Sequence, residues 1–538
     1  MPTVADYLVQ SLKDAGVQYL FGVPGGGSNI DIIEAAGKAD LPFVLTQTEV
    51  AAAFMASAQA EALGKPGACL TTLGPGAASV TNGVANAYLE RIPLLVFSDV
   101  HPESIRAVMQ HQTISHSDIF SGICKWTSEI RSTDVAHTLM QALTTATQLP
   151  QGPVHLDISA DVTKAKYKML EPAVIPVQSE FVTDLAVTKL SPALEKLLKE
   201  ARRPLVLIGL GARSFGAAAA IRQLCEEYNI PALVTYKAKG VIPDVHRCFA
   251  GVLTNGALER PILEQADLFI AIGLDPVELL PKEWDYPQPL ISCSSWGIEQ
   301  KQLPVTTELV GDIAQHLTLL GSNLAIKNGW DFYKLSQEVQ TQLEAMRPEG
   351  KSGALLPHRV VVLVAKSFPN ERVTVDAGAH MFPVMALWRA NYPNNVLISN
   401  GLATMSFALP AAIGLALLDR TKAVVAFTGD GGLQMCLAEL RTAVRENLRI
   451  RVVVFDDAEL SLIKIKQLQR GYAPTGVQMG QLDWEMLGTA LGLVAKTATT
   501  EAELLQVLAD TADCNGPVLI AAKIDPTPYQ AMINALRG

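Results

Sequence analysis

The feature that most constrains this chain is a recurring unit: a short, unbroken run of β-branched and apolar residues, then a Gly-containing turn, then a helical pattern. It occurs as PFVLT (42–46), ACLTTLGPG (68–76) and IPLLVFSD (92–99). It returns as RPLVLIGLGA (203–212) and ADLFIAIG (266–273). A last group holds RVTVDAGAH (372–380), NVLISNGLA (395–403), AVVAFTGDGG (423–432), RVVVFDDA (451–458) and PVLIAAK (517–523). Strands that are apolar on both sides and alternate with helices predict parallel sheets covered on both faces. Three such sets predict an α/β protein of three doubly wound parallel-sheet domains. Residues 165–190 carry prolines and little periodicity, and 343–357 are polar and rich in Gly and Pro, so both read as linkers. The expected domains are 1–170, 188–340 and 356–538, each of ordinary domain size.

Composition excludes several classes. The 43 Lys and Arg against 53 Asp and Glu give a net charge of −10, with no basic surplus to neutralise nucleic-acid phosphates. Charged residues are 18% and hydrophobic residues 49%, which excludes a disordered chain and predicts burial in large cores or subunit interfaces. The start, MPTVADYLVQSLKD, lacks the basic stretch and apolar run of a secretion signal, and Thr3 is placed to cap a helix carrying Val4, Tyr7, Leu8 and Leu12 at helical spacing. No run of 18 apolar residues occurs, so no membrane partner is expected and the expected location is the cytoplasm. The seven cysteines are scattered without a CxxC pair, which predicts buried, reduced thiols.

The strongest chemical signal is GDGG at 429–432 followed by Asp456-Asp457. Strand-like runs end just before Asp430 and Asp456, placing both carboxylates at C-terminal strand ends, where open α/β sheets bind ligands. The 27 residues from Asp430 to Asp457 suit one strand–helix–strand crossover. Mg²⁺ takes oxygen ligands in octahedral geometry, commonly one or two carboxylates plus phosphate oxygens. Asp430, Asp457 and a backbone carbonyl near Glu459 form such a set, and Gly429, Gly431 and Gly432 let backbone N–H groups approach a diphosphate. A bare turn is the alternative reading of GDGG. Glu49 opens the helical stretch TEVAAAFMASAQAEAL among small apolar neighbours, where partial burial would suit its carboxyl to a ligand ring nitrogen. Simple complementarity to the helix N-terminus is the alternative. VPGGG (23–27), with Gly25, and LGPG (73–76), with Gly76, are two more loops that permit close backbone approach. By composition Met405, before an apolar helix, reads as core filler.

In this order and spacing, FGVPGG, TEVAAAFMA, TTLGPGAASVTNGVANAYLERIPLLVFS, VDAGAH, SNGLATMSFALPAAIG, FTGDGGLQM and FDDAELSLIKIKQ resemble the thiamine-diphosphate-dependent decarboxylases and carboligases, and within them the acetolactate synthases. The resemblance covers nearly the whole chain. It implies an N-terminal pyrimidine-binding domain, a central domain, and a C-terminal domain that holds the diphosphate of thiamine diphosphate through Mg²⁺. It implies a homodimer as the minimal active unit, with homotetramers common, because the cofactor of the family lies between subunits. Glu49 matches the glutamate that hydrogen-bonds the pyrimidine and promotes its imino tautomer. Met405 matches the apolar wedge that bends the cofactor, and Ala403 would offer its carbonyl to the 4′-amino group. Asp430, Asp457 and Glu459 match the metal site. Gly25 and Gly76 lie in loops facing the cofactor, Gln112 aligns with a glutamine near the reacting centre, and His380 falls on the diphosphate side.

The departures are specific. Asp456-Asp457 replaces Asn-Asn, which adds negative charge beside a diphosphate and predicts a tighter dependence on the metal. DAGAH has Ala379 where relatives carry glutamine. GLDPVELLPKEW (273–284) replaces the Arg-Phe-Asp-Asp-Arg segment of the biosynthetic, FAD-binding enzymes, and IKIKQ, with Ile465 and Lys466, lacks their tryptophan. The chain therefore looks like the FAD-free, catabolic type. The implied reaction is decarboxylation of a 2-oxo acid such as pyruvate, with ligation to a second carbonyl to give 2-acetolactate or a related 2-hydroxy-ketone. Non-ligating decarboxylation, lyase chemistry on another acyl donor, and a catalytically silent binding subunit are the alternatives.

Overall fold

The computed structural model describes residues 1–167, 189–298, 302–324 and 329–538. Among the described residues there are three six-stranded sheets, and every strand pair in them is parallel. The first contains β1 (Leu20–Gly22), β2 (Phe43–Leu45), β3 (Gly67–Thr71), β4 (Leu94–Val100), β5 (Trp126–Glu129) and β6 (Val154–Ser159). The second contains β7 (Pro204–Ile208), β8 (Ala232–Val234), β9 (Phe249–Val252), β10 (Leu268–Ile272), β11 (Leu290–Ser294) and β12 (Val305–Val310). The third contains β13 (Arg372–Val375), β14 (Val396–Ile398), β15 (Val424–Gly429), β16 (Ile450–Asp456), β17 (Val494–Ala498) and β18 (Val518–Lys523). The outer two sheets share one arrangement, β2-β1-β3-β4-β6-β5 and β14-β13-β15-β16-β18-β17, whereas the central one runs β12-β11-β10-β7-β8-β9.

Each apolar run of the sequence is a strand, because a strand covered by helices on both faces must be apolar on both sides. β3, β7 and β10 are buried along their whole length. Thr3 caps the helix Val4–Asp14 in a reciprocal box with Asp6, as its spacing predicts. The expected linker 165–190 is described only at its ends, since 168–188 lie outside the described residues. In the second expected linker, a helix ends at Ala345 and the next begins at Pro357. The cysteines are free, and all but the half-buried Cys514 are buried. No described helix is long and apolar enough to cross a membrane.

Two contacts lock the domains together. The helices Glu49–Leu63 and Ala408–Leu418 pack face to face, with Phe54 edge-on to Phe407 at 5.5 Å between ring centroids. Every residue of 51–61 and of 408–417 is buried. A charge-neutral quartet then joins the three domains. Lys237 Nζ lies 2.6 Å from Glu61 Oε1 and 3.0 Å from Glu90 Oε2, and donates to the Ile398 carbonyl at 3.1 Å. Arg213 pairs with Glu61 as well. Burial pushes the Glu61 carboxyl up, but Lys237 and Arg213 outweigh it and hold the group below its usual value.

Beside this junction Glu278 has no cationic partner among the described residues. Its Oε1 accepts from the Thr235 hydroxyl at 2.5 Å and its Oε2 from the Leu210 N–H at 2.8 Å, while burial raises its pKa to about 8. The fold thus favours the protonated acid. That contribution is complete below the ordinary carboxyl pKa of 4.5 and is lost progressively as pH rises towards 8. Thermal unfolding from pH 5 to pH 8 should show Glu278→Gln losing less stability with rising pH than the parent, by a few kcal/mol. Parallel slopes would contradict a protonated Glu278.

Candidate active site

β15 and β16 are neighbours and run parallel, so they deliver the residues that follow them to the same edge of the sheet. Asp430 opens a short helix directly after β15, and Asp457 follows the last residue of β16. Both line a cavity of about 230 Å³ together with His380, Ala403, Met405, Gly429, Gly431, Gly432 and Glu459. These nine candidate residues thus surround one space. Asp430 Oδ1 accepts from the Gly431 N–H at 2.8 Å, while its buried Oδ2 has no partner among the described residues. Asp457 accepts from the Ser461 hydroxyl at 2.6 Å and the Glu459 N–H at 3.2 Å. Burial, reinforced by Asp457, raises Asp430 to about 7, and burial raises Asp457 to about 6. Two carboxylates without a cation, one carrying an orphaned oxygen, fit a hard divalent ion.

The neighbouring groups refine that fit. Asp456 turns away from the cavity and accepts from Trp484 Nε1 at 3.0 Å, so only one aspartate of the pair faces it. The Glu459 carboxylate is used by Lys464 at 2.5 Å and Gln478 at 2.6 Å. The side chain of Glu459 is therefore engaged within the protein. His380 is buried, and burial lowers its pKa to about 3, so the ring is neutral. Its Nε2 has no partner among the described residues, which fits an acceptor or donor role towards a bound ligand. Tyr529 also lines the cavity, and its phenol is pushed up by burial and by the two aspartates.

Asp376 organises this wall, and sequence reasoning missed it. It stands in DAGAH, a segment notable in the sequence for its histidine and its missing glutamine. Fully buried, it accepts from the Thr428 hydroxyl at 2.7 Å and from the N–H groups of Ser406 at 3.2 Å and Ala408 at 2.6 Å. It therefore ties the Met405 segment to the strand end that carries Gly429 and Asp430. Ala403 and Ser406 both have left-handed backbones, with φ of 53° and 67°, which costs an L-residue about 1–2 kcal/mol each. Asp376 holds the second of these bends. The requirement at Gly432 comes from the same carboxylate: a Cβ there would lie 2.4 Å from Asp376 Oδ2. The sequence pattern assigns both glycines of the pair to a diphosphate. Only Gly431 has its Cβ position facing the cavity residues, 3.4 Å from Met405 Cε and 3.0 Å from Leu460 Cδ2.

The N-terminal set forms a second cluster. Thr48 caps the helix that Glu49 opens, and Glu49 is half-buried. A Cβ on Gly76 would sit 3.2 Å from Glu49 Oε1, and one on Gly25 would sit 2.4 Å from the Thr72 hydroxyl oxygen. Gln112, with φ of 59°, lays its carbonyl against Gly74, where a Cβ would be 2.5 Å away. His116 fixes that loop: Nε2 accepts from the Gly74 N–H at 3.3 Å and Nδ1 meets Asp157 at 2.6 Å. None of these residues lines the cavity around Asp430. The structure brings Gly25, Glu49, Gly76 and Gln112 to one place and the other nine to another.

Comparison with known proteins agrees with this division. Residues 2–120 match the N-terminal TPP binding domain of thiamine pyrophosphate enzymes, 192–320 the central domain, and 376–522 the C-terminal TPP binding domain. The chain belongs to the thiamine pyrophosphate enzyme family. Within it the chain is acetolactate synthase-like. It is 27% identical to the acetolactate synthase of Bacillus subtilis over 97% of this chain and 93% of that protein. It is 27% identical to the acetolactate synthase isozyme 1 large subunit of Escherichia coli, over 97% and 94%. It is 28% identical to the catabolic acetolactate synthase of Raoultella terrigena, over 97% and 95%.

Gly432→Ala should destabilise the protein by about 1–3 kcal/mol, because the methyl must displace a buried carboxylate that anchors two chain segments. Urea unfolding measures this. Gly26→Ala, whose Cβ would meet nothing within 4 Å, serves as the control.

Proposed function

We propose that the protein decarboxylates a 2-oxo acid, most simply pyruvate, and joins the remaining two-carbon unit to a second carbonyl to give 2-acetolactate. The observation that carries this reading is the cavity at the ends of β15 and β16, with an unpartnered Asp430 oxygen beside Asp457 and a neutral His380. Bound thiamine diphosphate supplies the electron sink for decarboxylation and ligation. Asp430, Asp457 and the Glu459 carbonyl hold Mg²⁺, and the Gly429–Gly432 loop receives the diphosphate. Met405 and Leu460, both near the Cβ position of Gly431, give the cavity an apolar side that excludes water from the reacting atoms. Glu49 exchanges a proton with the pyrimidine nitrogen, and Gln112 stands near the reacting centre.

Glu49 does not line the cavity that holds Asp430, which supports a site whose two halves come from different copies of the chain. A homodimer is then the smallest active unit, and a homotetramer a pair of these. The enzyme works without FAD. In support, two acids of 273–284 are engaged within the protein: Asp275 pairs with Arg91 at 2.8 Å, and Glu278 accepts from Thr235 at 2.5 Å. On this reading the enzyme works in the cytoplasm.

Product analysis with pyruvate tests the reaction. Acetoin after acid treatment is the expected result, whereas acetaldehyde would mean protonation in place of ligation. Glu49→Gln should lower the rate about 10²–10⁴-fold, since it removes an acid–base group without changing shape. Asp457→Ala should release the cofactor on chelation and dialysis. Retention equal to the parent would remove Asp457 from the metal site.

A further inference from the structure

The outer sheets share one strand order, and the two cofactor-facing segments occupy the same place in it. Gln47, Thr48 and Glu49 follow β2, and Asn400, Gly401, Ala403 and Met405 follow β14. Each turn is held by a buried carboxylate of the opposite domain of the same chain. Glu439, from the segment before β16, accepts with Oε1 from the N–H groups of Gln47 at 3.0 Å and Thr48 at 3.1 Å. Glu90, from the segment before β4, accepts with Oε1 from the N–H groups of Asn400 at 2.7 Å and Gly401 at 2.6 Å. β4 and β16 are themselves equivalent strands of the two sheets.

Both carboxylates are 1% exposed, and each second oxygen has a polar neighbour. Glu439 Oε2 accepts from the Thr442 hydroxyl at 2.8 Å, and Glu90 Oε2 faces Lys237. Two N–H donors converging on one carboxyl oxygen make directional hydrogen bonds in a water-poor interior. Asn82 adds a third tie from the same side as Glu90, donating to the Thr404 hydroxyl at 3.1 Å. The left-handed bend at Ala403 is therefore bracketed, by Glu90 before it and Asp376 after it.

We propose that Glu90 and Glu439 are reciprocal positioning residues, Glu439 setting the helix start that presents Glu49 and Glu90 setting the bend that presents Ala403 and Met405. This rests on the thiamine diphosphate reading of the site. It makes the placement of each half-site depend on the other domain of its own chain, and through Lys237 on the central domain. Neither residue touches substrate or cofactor. Each acts through the turn it holds, and a misplacement of about 1 Å at such a turn is enough to slow a reaction about 10²-fold.

Amide hydrogen–deuterium exchange, read by mass spectrometry on the full chain without cofactor, tests the clamps directly. Glu439→Ala should accelerate exchange in 46–50 by about tenfold or more and leave 399–407 unchanged. Glu90→Ala should do the reverse. Glu439→Gln, which keeps a carbonyl acceptor for both N–H groups, should restore protection. Glu439→Asp and Glu90→Asp keep the charge but withdraw the acceptor by one methylene, and they serve if an alanine variant does not fold. With thiamine diphosphate and Mg²⁺ bound, Glu439→Asp should slow exchange of the cofactor's C2 proton about 10²-fold, measured by acid quench and NMR. Glu439→Gln should recover most of that rate. Exchange that rises uniformly along the chain, or a C2 rate equal to the parent in the Asp variants, would overturn the clamps. A parent protein that takes up no thiamine diphosphate would instead overturn the cofactor reading.

Discussion

The structure depends on the packing of two apolar helices, Glu49–Leu63 against Ala408–Leu418. Each follows the second strand of an outer sheet, and each begins where its domain presents a candidate cofactor-binding segment. The contact is close because small residues line it: a Cβ on Gly414 would lie 2.5 Å from the Met55 carbonyl, and Gln59 donates to the Gly414 carbonyl at 2.9 Å. A helix buried all round has no solvent face on which to slide or rotate without opening voids in a densely packed core. The N-terminal and C-terminal domains are thereby fixed to one another, and the two turns ahead of these helices are fixed with them.

The central domain contributes to this arrangement through charge. Lys237 is buried between carboxylates of the N-terminal domain and donates to the end of β14 in the C-terminal domain. An unpaired ammonium in that place would be costly, so all members of the quartet must be in position together. The central domain thus does more than connect the other two. The quartet also explains how a chain with few charged residues holds three domains in register: the charges at the junction are few, buried and paired.

Much of the architecture was legible in the sequence because doubly covered strands have to be apolar throughout, as in PLVLI (204–208) and LFIAI (268–272). Three of the strands that were not legible have a physical reason. β6 is central, but His155 and Asp157 interrupt its apolar run, and both are engaged with neighbouring side chains. β12 and β17 are sheet edges with exposed positions, so they carry Thr, Glu and Lys instead of continuous apolar residues. The candidate site divides in the same way. GDGG and Asp457 stood out because each is local to a strand end, whereas Met405 reads as core filler by composition and was marked only by the family resemblance. Asp376, Glu90, Glu439 and Lys237 were not, since each acts on a partner many residues away and nothing in its own neighbourhood marks it.

The central claim is that Glu49 of one copy works with the Asp430 cavity of another. Combining two inactive variants in one dimer tests it most directly. Glu49→Gln and Asp430→Ala chains, co-expressed with different tags and purified through both, form mixed dimers with one intact site and one doubly altered site. The account predicts recovery of about half of the parent activity per dimer, because one of the two sites is intact. Mixed dimers as inactive as either variant, with co-expressed parent chains fully active under the same procedure, would contradict it.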